Sequence, residues 1–317
     1  MKVLVTGGAG YIGAHVAKVL TENSDEVTVL DDLSNSDKRR IRSIDVDFIE
    51  GSIQDAPFVF NALQNIDLVI HCAAHKSVEE SEHNPAKYQE VNYRGTNTLL
   101  NEMVKANVKK LIFSSTAAVY GNSVKSPISE DSNPQPISIY GKTKLRAEEL
   151  IGNYCASAGI TAVSLRFFNA VGAANHDLVD TSTDNLFPKV FSSIKQNKSP
   201  EIFGDDYPTP DGTCIRDYIH VQDIAEAHLA VAGFMNSNNG HHIFNVGTGK
   251  GYSVKEIISG IQLVAGTNLI PEIKPRRQGD LDVAFADASL IKKQTGWSAR
   301  FGLSEMIDSA WKSWKGK

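Results

Sequence analysis

A chain of 317 residues, 41% hydrophobic and 22% charged, is long enough for one large α/β unit or two lobes, and its composition excludes disorder, collagen and coiled coil. A net charge of −5, with basic residues only in short runs such as Lys38-Arg39-Arg40 and Arg276-Arg277, argues against a nucleic-acid partner; such runs are usually solvated faces, and the second recurs below within a longer motif. Three widely spaced cysteines, Cys72, Cys155 and Cys214, give neither a disulfide framework nor a metal-ligand spacing, so reduced thiols in a cytoplasm and no metal are expected. No run of about 18 apolar residues occurs, and the chain enters a strand directly without an export signal, so no membrane span is expected.

In chain order, apolar runs predict strands at 3–6, 26–31, 47–50, 67–71, 110–115 and 161–167. Helical spacing falls between them at 11–22, 54–63, 85–106 and 140–157. Strands alternating with helices imply a parallel sheet covered on both faces, a Rossmann-like doubly wound α/β fold, with ligands at the carboxyl ends of the strands. The second half is less regular. It predicts strands at 218–221 and 243–246, helices at 224–232, 253–264 and 304–314, and a loop at 205–213. Residues 236–240 form a polar turn. The expected division is a dinucleotide-binding domain over 1–168 and a mainly substrate-binding α/β lobe over 169–317, with interleaved segments.

Thr6-Gly7-Gly8-Ala9-Gly10-Tyr11-Ile12-Gly13 closes the first strand and opens the first helix. Glycines here permit a tight turn and close approach of a pyrophosphate to the helix N-terminus. Asp31, at the end of the next strand, can accept both ribose hydroxyls of an adenosine and would repel a 2′-phosphate. This pairing favours NAD over NADP.

Tyr140 and Lys144 are spaced i, i+4 and share a helix face. A phenol is a poor base at neutral pH, and a neighbouring ammonium and the positive nicotinamide ring of a bound NAD should both lower its pKa. Two or three units would correspond to roughly 3–4 kcal/mol. Thr116 closes the fifth strand and can bond the substrate hydroxyl that Tyr140 would deprotonate, or relay its proton.

Tyr-x-x-x-Lys with an upstream Thr, behind Gly-x-x-Gly-x-x-Gly, resembles the extended short-chain dehydrogenase/reductases. Further segments narrow the resemblance to the UDP-glucose 4-epimerase family. They are residues 31–35, 76–81, 113–121, 166–173, Asp-Gly-Thr-Cys-Ile-Arg-Asp-Tyr from Asp211, and Arg-Arg-Gln-Gly-Asp from Arg276. The resemblance implies NAD-dependent epimerisation at C4 of UDP-galactose and UDP-glucose through a 4-keto sugar, in a homodimer built on residues 85–106 and 140–157. Leu99, Leu100 and Met103 could equally face the protein's own sheet.

The resemblance also assigns roles. Tyr11, Ile12, Asn35, Ser36, Ser52 and Ile53 should line the cofactor, as should Cys72, Ala73, Ala74, Ser114 and Phe168. Lys76 should reach its pyrophosphate or ribose, or the substrate, and Asn92 should lie near the nicotinamide end. Asn169 should touch the sugar or its phosphate, and Asn185 and Leu186 the UDP diphosphate. Phe203 should lie near uracil. Arg216 and Arg277 should pair with the diphosphate, whose charge suits guanidinium forks; the alternative for them is an ordinary ion pair with Asp217 or Asp280. Asp280 also belongs to the implied substrate set.

Two positions depart from the family pattern. Ser52 stands where an Asp often holds adenine. Ala284 stands where a tyrosine restricts the site to unacetylated sugars, and its small size leaves room for an acetamido group. Ala117-Ala118 after Thr116 lacks the acidic pair of the related 4,6-dehydratases, which removes their acid and base. A UDP-glucuronate epimerase and a catalytically silent NAD-binding regulator are the other readings. His71, His75 and His220 are expected to be structural.

Overall fold

The computed structural model describes residues 1–122, 124–277 and 279–315; Gln278 of the Arg-Arg-Gln-Gly-Asp segment lies outside them. The first half builds β1 (Lys2–Thr6), α1 (Tyr11–Glu22), β2 (Glu26–Asp31), β3 (Asp47–Glu50), α2 (Ala56–Ala62), β4 (Leu68–His71), α3 (Val78–His83), α4 (Pro85–Tyr88), α5 (Thr96–Lys105), β5 (Lys110–Thr116), α6 (Ile139–Ala158) and β6 (Thr161–Phe167). The second half adds β7 (Asn169–Val171), α7 (Leu186–Lys195), β8 (Glu201–Phe203), β9 (Ile215–Arg216), β10 (Tyr218–His220), α8 (Val221–Phe234), β11 (His241–Val246), β12 (Tyr252–Ser253), α9 (Val254–Ala265), β13 (Glu272–Lys274), β14 (Val283–Ala284), α10 (Ser289–Thr295) and α11 (Leu303–Trp314).

Seven strands form one parallel sheet in the order β11-β6-β5-β4-β1-β2-β3. Its inner strands are buried on both faces, as a doubly wound sheet requires: Val3, Val5 and Val29 pack with α1 and α8, while Leu4, Leu30 and Val69 pack with α2, α5 and α6. The chain reverses direction across the sheet between β1 and β4, which opens a crevice at their carboxyl ends. β11 comes from the second half yet completes this sheet beside β6. A second core, with Phe187, Phe191, Ile257, Ile261, Met306 and Ile307, holds α7, α9 and α11 together.

Where expectation and structure differ, tertiary bonding decides. The helix predicted over 85–106 is divided: α4 gives way to a wide π turn at Gln89–Gly95 before α5 begins. Inside the turn the Asn92 carboxamide accepts from the His75 N–H at 2.8 Å and donates to the His75 carbonyl at 2.9 Å and to Thr143 Oγ1 at 3.3 Å. Such bulges re-aim one side chain without ending the helix. Leu99, Leu100 and Met103 are fully buried against the protein's own sheet, which withdraws them from any subunit interface. α3 was not predicted, although Ser77 followed by Glu80 carries its start signal: Ser77 Oγ accepts from the Glu80 N–H at 3.2 Å. Among the described residues no helix is long and apolar enough to cross a membrane.

Candidate active site

The carboxyl ends of β1, β2 and β4 meet the first turn of α1 around a cleft of about 540 Å³ lined by Gly7, Gly10, Asp31, Asn35, Ser36, Ile53, Cys72, Ala73 and Ala74. Gly7 has φ +68°, and a Cβ there would stand 2.5 Å from the Ala73 nitrogen. A Cβ on Gly13 would collide with the Gly7 carbonyl. The turn therefore accepts glycine alone at positions 7 and 13, where a side chain would strike the protein's own backbone.

Asp31 organises the rim of the cleft. Its Oδ2 accepts from the Ala9 N–H at 2.9 Å, and its Oδ1 from the Leu33 N–H at 2.9 Å and Ser36 Oγ at 2.5 Å. A carboxylate has about four lone-pair sites, so acceptor capacity remains for a ribose hydroxyl. The cleft fits an NAD adenosine with its pyrophosphate on α1.

Several expected lining residues serve differently. The Ser52 hydroxyl accepts from the Gln54 N–H at 3.3 Å, while Gly51 and Ile53 line the cleft. The Tyr11 hydroxyl donates to the Gly172 carbonyl at 2.6 Å, and Ile12 packs into the core beside α8. Asn92 is buried and spent on the His75 peptide, so it positions the cleft wall rather than facing a nicotinamide. His75, expected to be structural, lines the cleft and is hydrogen-bonded through Nδ1 to the Asn35 amide at 2.5 Å. His71 and His220 are structural: His71 bridges Thr6 and Thr96, and His220 bonds Ser309.

The three residues expected to do the chemistry collect at the end of β5. Thr116, Tyr140 and Lys144 are all buried. Lys144 Nζ donates to the Ser114 carbonyl at 2.8 Å and lies 4.5 Å from the Phe113 ring. Burial lowers the ammonium to about 8, opposed by Cys72 and Glu148. Burial also pushes the Tyr140 phenol up to about 12, and the Thr116 hydroxyl pulls it down by less. Without the cofactor the phenol is raised rather than lowered because desolvation dominates; the expected lowering is that of a site with a nicotinamide bound.

Two unanticipated networks back these three residues. Ser115 donates to Glu148 at 2.5 Å, and Arg166 forks onto the same carboxylate through Nε and Nη2 at 2.5–3.2 Å. Glu148 lies one further helical step along the Tyr140–Lys144 face, and that spacing was the available signal. On the other side His228 Nδ1 donates to the Ile224 carbonyl at 2.8 Å. Its Nε2 therefore accepts from Ser114 Oγ at 3.1 Å, which leaves Ser114 to accept the Cys72 thiol at 3.1 Å.

The expected substrate residues gather across β9, β14 and the segment after β13. Arg216 donates to the Ile215 and Leu281 carbonyls at 2.9 and 2.7 Å and pairs with Asp280 at 3.4 Å. Asp217 is not its partner: that carboxylate is buried on the Thr248, Gly249 and Ala286 N–H groups. Arg277 lies flat over the Phe203 ring at 3.9 Å. Ala284 pairs in register with Arg216 and packs against the small core of Val119, Tyr120, Ile128, Phe168 and Ala286, which lies beyond the end of β5. Asn169 donates to the Asp217 carbonyl at 3.0 Å. Asn185 sits at the N-cap of α7 with its amide on Asp180 at 2.6 Å, and Leu186 begins the helix against the second core. Lys76 lies 3.9 Å from Asp180.

A glycine cradle beside an acid-tipped β2, next to a buried Tyr-Lys-Thr group, defines a Rossmann-like dinucleotide-binding enzyme. A model of the NAD dependent epimerase/dehydratase family matches residues 3–247, and the chain belongs to that family. It is 41% identical over 319 residues to a UDP-glucose 4-epimerase of Halalkalibacterium halodurans, covering 98% of this chain and 95% of that one. The crystal structure of a UDP-glucose 4-epimerase from Stenotrophomonas maltophila, with bound NAD and formylated UDP-arabinopyranose, superposes with a TM-score of 0.95 at 40% identity and covers 100% of this chain and 98% of that one. A UDP-Glc/GlcNAc 4-epimerase from Campylobacter jejuni superposes at 0.87 with 38% identity, covering 100% and 99%.

Proposed function

We propose that this protein interconverts UDP-galactose and UDP-glucose by inverting C4 through a transient 4-keto sugar, with NAD held throughout. The observation that carries the reading is the burial of Thr116, Tyr140 and Lys144 together at the end of β5, beside a cleft whose turn accepts only glycine at positions 7 and 13. When bound, the nicotinamide supplies a hydride acceptor and donor at C4 and a positive charge that favours phenolate. Tyr140 takes the C4 hydroxyl proton, assisted by Thr116, and returns it after the sugar has turned. Lys144 holds positive charge beside the phenol.

The remaining residues anchor or exclude. Gly7, Gly10 and the α1 N-terminus hold the pyrophosphate, and Asp31 the adenosine ribose. Arg216, Arg277, Asn185 and the start of α7 hold the UDP diphosphate, with Phe203 at the base, so the sugar turns while the nucleotide stays fixed. Lys76 and Asn169 meet the ligands from opposite sides, and Asp280 orients Arg216. Domain division follows the same lines: residues 1–168 carry the cofactor and 169–317 mainly the UDP-sugar, with β11 returning to the first sheet.

A second substrate pair is favoured by one observation. Ala284 is half-buried in β14, in register with Arg216, and its small side chain would leave room for an acetamido group where a tyrosine would not, so the activity extends to UDP-GlcNAc and UDP-GalNAc. Ala284→Tyr should remove the N-acetyl activity and spare the other. The functional unit is a homodimer on the outer faces of α5 and α6, working in cytoplasmic galactose metabolism.

Proton NMR of UDP-galactose with purified protein and no added NAD tests the central reading. A growing UDP-glucose anomeric signal with no net NADH is expected. Spectra unchanged even after NAD is supplied would overturn it.

A further inference from the structure

The first turn of α6, which carries Tyr140, is capped from another element. The leading N–H groups of a helix have no partner within it. Ser138, at the N-cap, directs its hydroxyl to the Gly141 N–H at 3.0 Å. The Ile139 and Tyr140 N–H groups are left over, and α3 takes both. Glu82 Oε1 accepts from the Ile139 N–H at 2.8 Å, and Ser81 Oγ from the Tyr140 N–H at 3.1 Å. Glu82 is exposed, whereas Ser81 is fully buried. The Ser81 hydroxyl donates to the Val78 carbonyl at 2.6 Å, which leaves its lone pairs for α6. The Tyr140 carbonyl is held as well. Thr143 Oγ1 donates to it at 2.8 Å and accepts from the Asn92 amide, which grips the His75 peptide on both sides. His75 lines the cofactor cleft with Ala73 and Ala74, and α3 continues the same stretch of chain from its N-cap at Ser77. Both peptide groups of Tyr140 are therefore tied to residues 75–81, the wall of the cleft and the helix that extends it.

A cap drawn from the neighbouring chain, as Ser138 supplies for Gly141, secures a helix. A cap drawn from 59 residues away also secures where that helix sits. Here the distant cap lands on the residue that carries the phenol, and it comes from the cleft wall. A proton carrier must keep a fixed separation from the site where the cofactor acts, and an error of about 1 Å can slow a reaction roughly 100-fold. We infer that Ser81 is a positioning residue for Tyr140: by accepting the Tyr140 N–H it fixes the first turn of α6 to the cleft wall, and so fixes the phenol relative to the cleft. Glu82 supports the same turn from the solvent side, where water can replace it. The inference rests on the reading of Tyr140 as the proton carrier.

The test is a double-substitution cycle on the purified holoenzyme, read with C4-deuterated UDP-galactose so that the chemical step sets the rate. Ser81→Ala leaves the Tyr140 N–H buried without an acceptor. Hydrogen–deuterium exchange at the start of α6 should quicken about fivefold. The kcat should fall roughly 10- to 100-fold, while KM for UDP-galactose and the NAD retained through purification, read by native mass spectrometry, stay at wild-type values. In the Tyr140→Phe background there is no phenol to misplace, so adding Ser81→Ala should lower the residual rate by less than about twofold. A merely structural role would lower both backgrounds alike. Glu82→Ala removes the exposed acceptor on Ile139 and should lower kcat a few-fold with the same dependence on Tyr140, which keeps the inference testable if Ser81→Ala folds poorly. Wild-type kcat and exchange in Ser81→Ala overturn the inference. So does an equal loss in the Tyr140→Phe background, or loss of NAD from Ser81→Ala. A Tyr140→Phe protein that turns over at the wild-type rate overturns the reading of Tyr140 beneath it instead.

Discussion

Acid should unfold this protein through its buried histidines, and the size of the effect follows from their surroundings. Burial holds His15 and His71 at about 3 and His220 and His228 at about 4, against an ordinary 6.5. Bonding also requires neutral rings. His15 Nε2 accepts from the Ala174 N–H and His220 Nδ1 from the Gln222 N–H at 3.0 Å, so protonation would set N–H against N–H. The unfolded chain binds protons near 6.5 where the native state does not. Stability is therefore full above that pH and falls as pH drops toward 4. At pH 5.5 each ring costs about 1.4 kcal/mol relative to pH 7.5, and the four together about 5 kcal/mol. Asp223 opposes them: burial raises its carboxyl to about 6, so the native state gains a proton there. That returns just under ~1 kcal/mol and leaves a net loss of about 4–5 kcal/mol, much of a typical total of roughly 5–15 kcal/mol. His75 and His241 are shifted downward too, while burial raises Glu130 and Asp217, and these two sets oppose each other. Urea unfolding followed by tryptophan fluorescence between pH 7.5 and 5.5 measures the slope. It should approach about three protons at the acid end. His15→Gln offers an amide donor and acceptor in place of the ring and should lower the slope by about one. A slope below one proton in the wild type would refute the reasoning.

Three substitutions probe the site itself. Gly13→Ala drives a methyl into the Gly7 carbonyl and within 2.8 Å of Gly8 Cα, so the protein should purify without NAD and bind it at least roughly tenfold more weakly by calorimetry. Arg166→Met leaves the buried Glu148 carboxylate without its cation; urea unfolding should show a loss of about 3–5 kcal/mol, largely recovered when Glu148→Gln is added. Tyr140→Phe removes the proton carrier and should lower kcat by roughly 10²–10⁴-fold with NAD content unchanged, as read by turnover and by absorbance of released cofactor.

What could be read from the chain follows the range of the contacts involved. The turn at Gly7–Gly13 and the acid at Asp31 are set by two adjacent strands and the helix between them. Their residue types alone carry the geometry, and the structure matches them closely. The same holds for β1, β2, β4, β5 and β6, whose apolar runs are buried on both faces. β8, β9, β12, β13 and β14 have two or three residues each, too few for a period, and form only because distant partners supply their hydrogen bonds. Asn92 shows the limit most plainly. Its residue type suits a ligand contact, but a π turn aims it at the His75 peptide, and no helical pattern announces that turn. Arg40 is the converse case: in a basic run that reads as solvent-facing, Lys38 and Arg39 are exposed but Arg40 is buried, bonded to a carbonyl 139 residues on. Tyr140 and Lys144 lie between these extremes. Their spacing and helix were legible, whereas their proton affinities were not, because desolvation depends on everything packed around them. Burial moves both groups toward their neutral forms, the phenol to about 12 and the ammonium to about 8. A phenol at 12 is a weak general base near neutrality until positive charge arrives beside it. Proton abstraction is thereby tied to an occupied cofactor site, and a sugar bound to the protein without NAD meets an idle Tyr140.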